Sequence, residues 1–159
     1  MIHIHDSLYL QVSSPLHLLR WEWHDLLSYD RFRAAFKELL VLSNNYHITN
    51  WLADLSTMPL VGTDEQAWLS DEWLPEFARL SIQHLAIIQP PTMHNQLVIE
   101  SVLSDGRRCN NADVQFFSDI PSALDWLTSS SSVATQLEQE WLANTRMIRS
   151  PSLLSRMWI

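Results

Sequence analysis

The chain has 159 residues, 47% of them hydrophobic, and a formal charge of -8, with Lys37 as its sole lysine. That length buries one sizeable core and not two; so few basic residues show no clustered positive nucleic-acid surface, and the lone lysine leaves little room for Schiff-base or P-loop chemistry. A single cysteine, Cys109, and only two glycines, Gly62 and Gly106, remove the intramolecular disulfide, the cysteine-pair zinc site, the Rossmann and Walker phosphate loops and the Gly-x-Ser-x-Gly elbow.

The N-terminal stretch reads as β-structure. Ile2 and Ile4 alternate with His3 and His5, then Leu8, Leu10 and Val12 with Tyr9, Gln11 and Ser13, the period of half-buried strands. Ser14 and Pro15 mark a turn, after which His17, Leu19, Trp21 and Trp23 share one face and Leu16, Leu18, Arg20 and Glu22 the other, predicting an antiparallel hairpin. This opening lacks a basic, long-apolar leader, and no run of eighteen apolar residues follows, so a cytoplasmic protein without membrane insertion is expected.

Ser28 is placed to cap a helix with Asp30 in its first turn, and Phe32, Ala35, Phe36, Leu39 and Leu40 recur at helical spacing to about Ser43. Residues 48–55 predict a central strand ending near Asp54. Thr63 followed by Gln66 predicts a capping box, and Leu69, Trp73, Phe77 and Leu80 form the stripe of the helix it opens. Pro75 predicts a kink or a break in that helix. A strand at 85–89 ends at Pro90 and Pro91. A helix capped by Thr92 carries Met93, Leu97, Val98 and Val102 to Asp105-Gly106. A strand at 112–117 leads to a helix capped by Ser118 or Asp119 and bearing Ala123, Leu124, Trp126 and Leu127.

Strands alternating with helices after the hairpin predict an α/β fold, a mixed sheet of about five strands with packed helices. Serines 129–132 suggest a boundary, so residues 1–128 read as the domain. Residues 129–159 read as a C-terminal extension: a helix bearing Val133, Leu137 and Trp141, and an apolar tail. From Trp141 onward the charge is +3, which leaves the body at -11 and predicts docking of the extension on its own body or on a partner protomer. The eight tryptophans each carry an N–H, so several are expected at the core's edge or in an interface.

Four segments in this order, WLADLS at 51–56, WLSDEWLPEF at 68–77, HLAIIQ at 84–89 and FFSDIPSALDWL at 116–127, resemble the STAS domain of bacterial anti-sigma-factor antagonists. The likeness is to the SpoIIAA-like fold, in a bacterial branch described as STAS/SEC14-like. The resemblance implies a non-enzymatic regulatory or protein-interaction module, homodimeric, with a protein partner. Its antagonist side implies a phosphoacceptor at the start of the helix after the Asp-ending strand. There Thr63 alone keeps a hydroxyl, while Gly62, Asp64 and Glu65 depart from the usual Asp-Ser-Ser-Gly setting, which argues against phospho-switching. Its SEC14 side implies a carrier or sensor of a small apolar or lipid-like molecule, in a pocket formed by Asp54, Met58, Trp68, Trp73 and Phe77 and gated by the helix broken at Pro75.

Other constellations carry less. His3, His5 and His17 lack a locatable fourth ligand, so no metal or cofactor is expected. Asp54, Asp64, Asp71 and Glu72 read as a solvated rim rather than acid–base machinery, and no enzyme is predicted.

Overall fold

The computed structural model describes residues 1–24, 28–106 and 111–149, with side chains as far as Thr145. Cys109 and the tail at 150–159 lie outside the described residues. Six strands form one mixed sheet in chain order: β1 (Ile2–Ile4), β2 (Leu8–Ser13), β3 (Leu18–Trp23), β4 (Asn50–Asp54), β5 (His84–Ile88) and β6 (Asp113–Phe117). β1, β2 and β3 pair antiparallel, and β3 through β6 run parallel. The strand beyond the expected five comes from the N-terminus. His5 N–H donates to Leu8 O at 2.9 Å, so the chain turns between β1 and β2 and the hairpin becomes a three-stranded meander.

Between the parallel strands lie α1 (Tyr29–Asn45), then α2 (Thr63–Trp68), a π-helical turn (Leu69–Trp73) and α3 (Leu74–Phe77), then α4 (Met93–Gly106). Every crossover steps to the next strand in the same direction, so these helices share one face of the sheet. α5 (Ile120–Thr128) and α6 (Ser131–Arg149) cover the other. Local chemistry sets several ends. Ser28 accepts the Arg31 N–H at the start of α1. Asp119 accepts the Ser122 N–H at 2.8 Å to open α5, and that bond, with help from the Ser122 and Ser118 hydroxyls, holds its carboxyl below the ordinary range.

Pro75 cannot donate a backbone hydrogen bond, and the helix accommodates this with a π turn in which Leu74 N–H reaches back to Leu69 O. The predicted apolar side of α4 is rotated in the fold. Met93 and Leu97 are exposed, while Asn95, Val98, Ile99 and Val102 point inward. The reason is Asn95, whose side chain is needed beneath the loop after β4.

Among the described residues, six tryptophans are buried and only Trp126 is half-buried, beside the cluster under α5. Trp21, Trp23, Trp51, Trp68 and Trp73 are all buried on the α1–α4 face, interleaved with Phe32, Phe36 and Phe77. Trp51 meets Trp21 at 5.8 Å and Trp73 at 6.0 Å, and Trp73 stacks on Phe77 at 5.0 Å. Two indoles pair conventionally: Trp51 Nε1 donates to Ser43 Oγ and Trp73 Nε1 to Phe36 O, each at 2.9 Å. Among the described residues the Trp21 and Trp23 N–H groups have no hydrogen-bond acceptor; Trp21 makes T-shaped contacts with Trp23, Phe36 and Trp51, and Trp23 stacks on Phe32.

Candidate functional site

Asp54 ends β4 and is buried. Its Oδ1 accepts the Ser56 N–H at 3.0 Å and the Ser56 hydroxyl at 2.6 Å, a local turn that carries the chain off the sheet. Its neighbour across the parallel ladder is Glu22, also buried. The loop that follows is latched at both ends. Thr57 Oγ1 donates to Trp23 O at 2.7 Å. Asn95, 1% exposed, accepts the Val61 N–H at 3.0 Å and donates to Pro59 O at 3.1 Å. His94 Nε2 lies 2.6 Å from Val61 O.

With Val61 pinned, Gly62 rather than Thr63 becomes the N-cap of α2, in extended geometry (φ -81°, ψ 176°) and with no side-chain cap. The predicted capping box is therefore not formed. Thr63 is the first helical residue and exposed, and the Glu65 carboxylate folds back into the space a Cβ on Gly62 would occupy. A hydroxyl at 63 thus stands in an acidic setting made by Asp64 and Glu65.

The five residues read as one pocket are divided by the sheet. Met58, Trp68, Trp73 and Phe77 all belong to the aromatic core, each between 6% and 7% exposed. Asp54 alternates with Ala53 and so faces the opposite side, in line with Leu52, which packs in the cluster under α5. Around the tryptophans remains one small cavity of about 70 Å³, lined by apolar and indole side chains that include Trp21, Trp51, Met58, Leu69 and Trp73. A cavity of that size holds a few atoms, well short of an acyl chain.

The opposite face carries residues that no motif singled out. Tyr9, Gln11 and Arg20 are buried there beneath α6, and Glu22 is buried on the same face. Gln11 Nε2 donates to Leu137 O at 2.8 Å and to Glu140 Oε1 at 3.1 Å. Arg20 Nη1 donates to Glu138 Oε2 at 2.7 Å, and its guanidinium lies 3.9 Å from the centre of the Trp141 ring. The Met1 amino group donates to Glu140 Oε1 at 2.9 Å, and that bond above all holds the Glu140 carboxyl below its ordinary range. Register was the missed signal: Tyr9 opposite Glu22 and Gln11 opposite Arg20 make a polar stripe on a strand pair that is otherwise apolar.

The three histidines are separated. His3 faces Tyr46, its ring centre 6.2 Å away, whereas His17 sits in the β2–β3 turn at φ 49° with Nδ1 3.1 Å from His47 O. Among the described residues no three His, Cys, Asp or Glu side chains could hold a metal ion, and no helix is long and apolar enough to cross a membrane. A groove of about 420 Å³ lies at the carboxyl ends of β5 and β6, lined by Ile88, Pro90, Gln96, Phe116 and Ser118 among others. No protein-family model, curated protein or solved structure matches the chain.

Proposed function

We propose that this chain is a non-enzymatic regulatory module of the SpoIIAA-like, STAS type, acting in the cytoplasm through protein–protein contact and self-association. The observation that carries the reading is the closed aromatic core: Met58, Trp68, Trp73 and Phe77 fill the space that a carrier would keep for its ligand. Recognition then falls to the carboxyl edge of the parallel strands, where open α/β sheets place their working loops. That edge exposes Ser56, Thr57, Leu60 and Thr63, with Leu60 at 71% exposure, and the groove beside Phe116. Asn95 holds the loop in one shape, which lowers the ordering cost of binding.

Thr63 is accessible to a kinase, but a phosphate there would meet Asp64 and Glu65 at close range. The module therefore works by contact at a constitutively acidic helix start. A single observation favours the carrier reading, the apolar cavity beneath Trp21, Trp51 and Trp73; at about 70 Å³ it suits only a ligand of a few heavy atoms. Native mass spectrometry of the purified chain, with organic extraction, tests the two. Bare chain mass, alone or doubled, is expected, and a retained apolar molecule overturns the interaction reading. Intact mass after native expression should show no phosphate on Thr63.

A further inference from the structure

Two residues, Ser129 and Ser130, join α5 to α6, and the reversal between these helices depends on an unfavoured backbone. Ser129 closes α5 in the left-handed region, at φ 56° and ψ 26°, where its Cβ crowds the chain and glycine is the usual occupant. Small local bonds hold the turn: Ser129 N–H donates to Asp125 O at 2.8 Å, Ser130 N–H to Thr128 Oγ1 at 3.3 Å, and Val133 N–H to Ser130 Oγ at 3.3 Å. Thr128-Ser129-Ser130-Ser131-Ser132 contains neither glycine nor proline. Rotating Ser129 into the right-handed region would fuse α5 and α6 into one helix about 45 Å long and lift α6 off its own sheet.

The vacated face is specific for what left it. Buried Arg20 pairs with Glu138 and stacks on Trp141 one turn further along α6, while Gln11 binds Leu137 O and Glu140 on the same helix. A foreign helix would have to bring a carboxylate and an indole at that spacing, and a second copy of this chain already does. We propose that α6 exchanges between two copies with Ser129 as the hinge, each α6 docking on the polar sheet face of the other. The exchange rests on the self-association proposed above and gives it a geometry. Because the closed and exchanged forms make the same docking contacts, the hinge conformation and the protein concentration set the balance between them.

The test is a hinge series in the full chain, with mass followed by light scattering over a dilution series. Ser129→Gly relaxes the left-handed turn and should favour the monomer. Ser129→Ala with Ser130→Ala penalises the turn and removes the Ser130 cap, and should tighten the dimer at least about tenfold relative to the glycine variant. A dimer equally tight in both variants overturns the exchange and leaves self-association standing, whereas no dimer in any variant overturns both. A second measurement mixes an Arg20→Glu copy with a Glu138→Arg copy. Each is mismatched within itself, but exchange between them pairs position 20 of one with an opposite charge at position 138 of the other. Native mass spectrometry should then show heterodimer in excess of either homodimer, and a statistical mixture overturns the proposal. If either charge variant fails to fold, the hinge series decides alone.

Discussion

The two faces of the sheet are held by different physics. On the α1–α4 face, five tryptophans and three phenylalanines interlock, and stability scales with apolar area removed from water. On the α6 face, one buried indole, Trp141, is set among directional contacts from one arginine, one glutamine and a short set of carboxylates. Directional bonds to buried polar groups contribute modestly when made and are costly to leave unmade. The first face therefore closes permanently over its contents. The second specifies one helix and can release it whenever an equivalent helix is supplied.

Substitutions can break or sharpen that contrast. Trp73→Ala removes the ring between Phe36, Trp51 and Phe77 and should cost about 4 kcal/mol in urea unfolding, with loss of the near-ultraviolet dichroism of the core. Arg20→Ala should cost about 2 kcal/mol, because it removes the cation from the Trp141 ring and the charge partner of Glu138; the near-ultraviolet signature should persist while amides of α6 exchange faster. If Arg20→Ala also collapses the aromatic signature, the two faces are one cooperative unit and the contrast fails.

Glu138→Gln keeps the shape and drops the charge, so a loss of about 1 kcal/mol is expected, with no change in core dichroism. The smallest effect is acid sensitivity. Glu140 has its folded pKa lowered by the Met1 amino group, so its contribution is present above the ordinary glutamate value and is lost as pH falls through the lowered one. Hydrogen exchange in α6 should therefore accelerate in acid before the core dichroism changes, and simultaneous loss of both would contradict separate faces.

Features written in a few neighbouring residues were legible beforehand. Ser28 and Asp119 cap the helices that their spacing announced, because a cap is satisfied within one turn. The alternation of strands and helices after the hairpin followed from periodicity and turn residues, whereas the sixth strand, at the N-terminus, did not. The predicted Thr63 capping box does not form, and the shift of the cap to Gly62 was not legible, because Asn95, over thirty residues later, pins Val61. Nor was the division of the supposed pocket, in which Asp54 and Trp73 fall on opposite sides of β4.

The amino-acid sequence alone established the alternation of helices and strands after the hairpin, through local period, and that two glycines and one cysteine cannot write a Rossmann or Walker loop or an intramolecular disulfide. Only the tertiary structure decided that five of the tryptophans interlock as a core and that Arg20 and Gln11 are buried. The interlocking rings, and the helix that covers a polar stripe, bring together residues up to 139 positions apart. Their contact depends on how the chain closes, which no local pattern records.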